Sequence, residues 1–150
     1  MKTTIGAFLI GLVAAAGILC AERLRTAQAV ATPAPIYVVY YWRARPGKLD
    51  AYTDYIRRTA EPIDEDARKA GAFEEIHTYA SMTSPSGTTP DWTHMRVFRL
   101  RNMEAAQKLS GALDEATKRV YPDESKRKEN TAFAAELRDF VRQEMWTDLR

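Results

Sequence analysis

The sequence says most through what it lacks. It holds one cysteine, Cys20, in 150 residues, so no intrachain disulfide forms and no cysteine pair can grip a metal. Imidazole chemistry is confined to His77 and His94, the only histidines. There is no glycine-rich phosphate loop and no dinucleotide fingerprint. No apolar run reaches the roughly twenty residues that a bilayer span needs; Ile5 to Leu19 is about fifteen. An excess of one charge is missing too. Of 22 basic and 20 acidic residues, only Lys2, Arg23, Arg25 and Glu22 precede residue 30, which leaves 19 of each sign beyond it. A neutral chain has little bulk attraction for nucleic acid or anionic lipid, which argues against both as partners.

What is present begins with the N-terminus. Lys2, the apolar stretch Ile5 to Leu19 and the small-x-small triplet Ala27-Gln28-Ala29 read as a secretory signal over residues 1–29. Ala29-Val30-Ala31 is a second cleavage choice. The expected product is exported, to the periplasm or beyond, and starts near Val30 or Thr32. An uncleaved N-terminal membrane anchor is the alternative. Lipidation of Cys20 fits less well, because Leu19 stands where a small residue normally precedes the modified cysteine. About 120 residues remain, enough for one domain with one core. Seven Tyr, three Trp and all but Phe8 of the five Phe lie in that part and supply aromatics for a core or a pocket.

Residues 30–35 form an extended, proline-bearing linker into a domain spanning 36–150. Ile36 to Trp42 is β-branched and aromatic on both alternating faces, which predicts a strand covered on both sides and central in its sheet. Arg45-Pro46-Gly47 turns the chain. Leu49, Tyr52, Ile56, Ala60, Ile63, Ala67 and Ala70 recur at helical spacing, with Pro62 predicting a kink or restart and Gly71 a left-handed stop. Strands are predicted over Phe73–Met82 and Trp92–Leu100, joined by a polar hairpin loop at 83–90. Asn102 caps a second helix whose stripe is Ala106, Leu109, Leu113, Ala116 and Val120. Tyr121-Pro122 ends it, and an extra C-terminal helix follows, carrying Phe133, Leu137 and Phe140. Val141 to Leu149 fits either continued helix or an edge strand.

The order is that of a split βαβ, or ferredoxin-like, α+β plan with an antiparallel sheet. Symmetric pairing about the hairpin loop sets Ile76 opposite Val97, Thr78 opposite Met95 and Ala80 opposite Thr93. His77 then faces Arg96, Tyr79 faces His94, and Ser81 faces Trp92. The first set suits a helix layer. The second set is polar and aromatic, and the doubly apolar first strand says that its face is covered too. One chain of this size has too few helices to cover both faces, which predicts a homodimer.

Tyr37-Val38-Val39-Tyr40, then Arg45-Pro46-Gly47-Lys48, Ala70-Gly71-Ala72 and Asp91-Trp92 resemble the dimeric α+β barrel superfamily over residues 36 to 113. Its members include the antibiotic-biosynthesis monooxygenase, stress-responsive barrel and ethyl tert-butyl ether degradation types. The resemblance implies two sheets closing face to face in a homodimer, with a pocket beside each sheet. Some such proteins are cofactor-free oxygenases, some degrade haem, some isomerise or dehalogenate. The haem-degrading Asn, Trp and His set is not matched here, so no catalytic residue is carried over.

The candidate site residues are therefore those on the polar-aromatic face. His77 or His94 could act as a general base or a metal ligand, with Arg96 or Tyr79 holding a developing oxyanion. Equally, the histidines serve as hydrogen-bonded interface residues and Arg96 as an ion-pair partner across the dimer. Tyr40, Trp42, Tyr79, Trp92 and Phe98 could line an apolar ligand pocket or simply pack. Three functions stay open: an exported small-ligand-binding protein of the cell envelope, a cofactor-independent monooxygenase or isomerase acting on a small aromatic or apolar molecule, and a haem-binding or haem-degrading protein. No particular cofactor is indicated.

Overall fold

The doubly apolar run at the start of the domain becomes the centre of the sheet. In the computed structural model, which describes residues 34–82 and 89–149, strand β1 (Ile36–Ala44) is antiparallel to β3 (His94–Leu100) on one side and to β4 (Arg138–Thr147) on the other. Strand β2 (Glu75–Ala80) adds to β3, giving the order β2-β3-β1-β4. This is the ferredoxin-like arrangement. The predicted signal, Cys20, most of the linker and residues 83–88 of the hairpin loop lie outside the described residues. No helix among the described residues is long and apolar enough to cross a membrane.

The first helical stretch follows its predicted stripe but in three parts. Helix α1 (Leu49–Tyr55) passes into a π turn (Ile56–Ala60) and then helix α2 (Glu61–Lys69). Pro62 explains the wide turn. It has no N–H, and its ring would clash with the carbonyl four residues back, that of Arg58. The Tyr121 hydroxyl lies 3.4 Å from the carbonyl oxygens of Arg58 and Thr59, close to the carbonyls this turn displaces. Gly71 ends α2 at φ +79°, as expected of a left-handed stop.

Helix α3 (Met103–Val120) starts where Asn102 predicts: the Asn102 side chain accepts from the Ala105 amide at 2.9 Å. Leu109 and Ala116 are fully buried on its inner face. Helix α4 (Glu124–Leu137) is capped by Asp123, which accepts from the Ser125 amide. Of its predicted stripe only Leu137 is buried. Phe133 is 48 % exposed, and Phe140 is 54 % exposed and no longer helical. The helix ends because Arg138 turns extended at φ −148°, ψ 158°. The segment from there pairs with the otherwise open edge of β1, which settles residues 141–147 as strand. An unpaired edge on a central, apolar strand would leave a row of backbone groups unsatisfied.

The described helices pack on the sheet face that carries Val38, Phe98 and Leu100. Val38, Phe98 and Leu100 pack with Ala67, Phe73, Leu109 and Ala116 in a larger apolar cluster. Ala44, Tyr52, Ile56 and Leu137 form a smaller one nearer the α4–β4 junction, with Trp42 and Tyr55 against it.

Candidate functional site

The hairpin register decides which residues can work together, and it differs by one residue from the symmetric pairing. Ile76 lies opposite Phe98, His77 opposite Val97, Thr78 opposite Arg96, Tyr79 opposite Met95 and Ala80 opposite His94. Such a slip moves side chains between faces. Its cause is the core. Phe98 and Leu100 are large and fully buried against the helices, and no placement of Val97 and Met95 there would fill that space. His94 and Arg96 alternate with them and go inward as well.

The predicted cluster is therefore divided. His94, Arg96, Tyr40, Trp42 and Phe98 share the helix-covered face, while His77 and Tyr79 lie on the opposite one. Trp92 goes with the second group, packed edge-on to Tyr41 with ring centres 5.7 Å apart. The expected juxtaposition of the two histidines does not occur. His77 is 60 % exposed beside Glu75, with 3.9 Å between Nε2 and Oε2. Among the described residues no three His, Cys, Asp or Glu side chains are grouped to hold a metal ion.

His94 is 2 % exposed. Its Nδ1 lies 3.0 Å from Thr93 Oγ1 and its Nε2 3.1 Å from Thr53 Oγ1. The Tyr52 ring stands edge-on to it at 4.6 Å. Burial, and secondarily the Arg138 charge, lower its pKa below the usual imidazole value and so favour the neutral ring. Each hydroxyl also has a backbone carbonyl in reach: Leu49 O for Thr53 and Trp42 O for Thr93. One ring proton can thus sit on either nitrogen while every group stays satisfied. Both nitrogens are already engaged within the chain.

Deeper along the same face, Arg96 Nη2 donates to Asp64 Oδ2, a buried ion pair between β3 and α2. Arg96 Nε is buried without a partner among the described residues. Burial pushes the Asp64 carboxyl up to about 6, opposed by Arg96 and aided by the Glu61 charge. Burial also raises Tyr40, again opposed by Arg96. Tyr40 meets Phe98 edge-on at 5.8 Å, and the Arg96 guanidinium lies 5.4 Å from the Phe98 ring centre. Asp64 was legible as a carboxylate interrupting the apolar stripe between Ile63 and Ala67.

Arg138, at the α4–β4 junction, completes the site. Its guanidinium stacks 3.6 Å from the Trp42 ring centre and 5.3 Å from that of Tyr52, and its Nη1 donates to the Tyr52 hydroxyl at 2.8 Å. A groove of about 300 Å³ opens here, lined by Trp42, Tyr55, Thr131, Ala134, Ala135 and Arg138. Burial raises the phenols of Tyr52 and Tyr55, with Arg138 opposing in both cases. No local pattern announced Arg138, because its partners come from β1 and α1.

No family model matches the chain, and no curated protein matches its sequence. Solved structures do resemble it. HapK from Hahella chejuensis is similar at a TM-score of 0.50 and 9 % identity, over 76 % of this chain and 92 % of that one. An EthD-like protein from Ralstonia eutropha gives 0.49 and 16 % over 75 % and 90 %. SnoaB from Streptomyces nogalater, a cofactor-independent oxygenase, gives 0.45 and 10 % over 78 % and 95 %. Such identities speak to fold alone. The strand order and the likeness to HapK agree that the chain has the ferredoxin-like α+β fold, the one expected of dimeric α+β barrel proteins.

Proposed function

We propose that the chain is an exported small-ligand-binding protein of the cell envelope, whose ligand is small and largely aromatic or apolar and enters between the sheet and the α1–α4 side. One observation carries this reading. The helix-covered face buries two polar pairs, Thr53–His94 and Asp64–Arg96, and the Tyr52 ring that meets His94 also takes the Arg138 donor beside the Trp42–Arg138 groove. Apolar side chains of like volume would stabilise such an interior as well or better, so a buried ion pair with an unpartnered Nε supports a role beyond packing. Binding is favoured over chemistry because the imidazole nitrogens are occupied by Thr53 and Thr93. A thermal-shift screen with aromatic acids, quinones and haem tests the reading. A rise of several degrees with one class supports it, and silence across the whole panel overturns it.

A second reading, a cofactor-independent monooxygenase or isomerase, rests on the Thr53–His94–Thr93 chain, which can move one proton through a neutral imidazole. It requires turnover of whichever ligand the screen returns, lost in His94→Gln. Homodimerisation belongs to the proposal as well. It is supported by the sheet face opposite the described helices, where Tyr79 and Trp146 are half exposed beside the partly exposed Tyr37, Met95 and Val97.

A further inference from the structure

Arg138 differs from the ion-paired arginines of the chain. Arg45 pairs with Asp139, Arg96 with Asp64, Arg99 with Glu74, and Arg142 with Asp91 and Glu144. Arg138 has no carboxylate partner among the described residues. Of its five N–H donors, one is used, by the Tyr52 hydroxyl. The guanidinium is held by ring faces instead, at 3.6 Å from Trp42, 5.3 Å from Tyr52 and 5.9 Å from Tyr55. Aromatic faces fix its plane and direction, which prepares the remaining donors for a two-point contact.

The surroundings match that cation with apolar space and with no competing anion. The groove's six lining residues include no carboxylate. Ala134 and Ala135 leave room on the α4 side, and the rim is aromatic: Phe140 meets Trp42 edge-on at 5.0 Å, and Phe133 meets Tyr55 at 6.2 Å. Both rim phenylalanines are about half exposed. About 300 Å³ is at the small end of ligand sites. A phosphate would call for several cations or a helix N-terminus. One guanidinium between aromatic walls calls for a carboxylate on a flat ring.

We propose that this groove binds an aromatic carboxylate, with its ring between Tyr55 and the Ala134–Ala135 side and its carboxylate on the free edge of Arg138. The inference rests on the small-ligand reading above and adds the ligand's charge and place. Calorimetric titration of the purified protein with 2-naphthoate and with uncharged 2-naphthylmethanol tests it. The carboxylate binds saturably, and the alcohol at least about tenfold more weakly, as expected for loss of a charged hydrogen-bonded pair. Arg138→Gln erases that difference, and Arg138→Lys keeps part of it, since a point charge cannot reproduce the fork. Ala135→Trp, on the exposed rim, fills the groove and abolishes binding of both probes while leaving the circular dichroism unchanged; it decides the matter if Arg138→Gln does not fold. Equal binding of the two probes overturns the anion preference and leaves the small-ligand reading standing. Binding that survives Ala135→Trp overturns the location. If neither probe binds at millimolar concentration, the inference falls, and the thermal-shift panel still judges the broader reading on its own.

Discussion

Asp64 offers the sharpest test of how this interior is built. Its carboxyl and the Arg96 guanidinium are 6 % and 11 % exposed. Two effects compete there: attraction between the charges favours ionised Asp64, and loss of hydration opposes it. The contact runs through one guanidinium arm, Nη2, while Nε stays unpartnered. The two-point match that makes Arg–carboxylate pairs strong is absent, so desolvation wins. The carboxyl moves from 3.8 to about 6. Between those values the folded protein keeps a proton that the unfolded chain has released. Stability from this group is therefore full below about pH 4 and is lost as pH rises to about 6. A shift of that size corresponds to about 3 kcal/mol.

Asp64→Asn keeps the shape and the acceptor but cannot ionise. Urea unfolding of both proteins from pH 3 to 7 should show the variant gaining on the wild type by about 3 kcal/mol, most of it complete near pH 6. The difference cancels other carboxylates: Glu65, Glu104, Glu115 and Glu144 are held low chiefly by Arg or Lys partners, and they contribute alike to both proteins. A variant that loses ground over this interval would show that attraction exceeds desolvation, and the reasoning would be refuted. A flat difference would refute it equally, because Asp64 would then titrate alike in folded and unfolded chains.

Leu109→Ala empties a fully buried position between α3 and the sheet and should cost about 2–5 kcal/mol in urea unfolding; a cost under about 1 kcal/mol would contradict its place in the core. His94 should titrate below 6.5 by proton NMR, and Arg138→Gln should move it upward by removing a neighbouring positive charge; no movement would separate the two groups. Because the neutral form is the buried one, the His94 contribution to stability is present above pH 6.5 and is lost as pH falls below it. Val97→Arg, on the sheet face opposite the described helices, should turn a micromolar dimer into a monomer in sedimentation, and a wild type that is already monomeric and folded would end the dimer proposal.

What the sequence disclosed was local. The central place of β1 follows from two apolar faces, the start of α3 from Asn102, the stop of α2 from Gly71 and the break in the first helix from Pro62. Each rests on residues within a turn or two of one another. The fate of residues 141–147 was not local. Helical and strand spacings both fit, and the decision came from the edge of β1, about a hundred residues away in the chain. Arg138 is hidden for the same reason, since the Tyr52 hydroxyl it meets is 86 residues distant.

The hairpin register is set by volume rather than by the turn. Symmetry about the loop assumes that turn geometry sets the pairing, yet in a half-buried hairpin the volume to be filled decides. Along β3 the odd positions offer Met95, Val97 and Arg99; the even ones offer His94, Arg96, Phe98 and Leu100. Only the even set has two large, wholly apolar side chains next to the helices, and burying them carries an imidazole and a guanidinium inside. That is the physical origin of the two buried polar pairs. The core takes Phe98 and Leu100, His94 and Arg96 follow by alternation, and Thr53, Asp64 and Tyr52 on the first helical stretch supply their partners. The same alternation leaves His77 and Tyr79 outside, so the proposed ligand groove and the proposed dimer contact lie on opposite sides of one sheet.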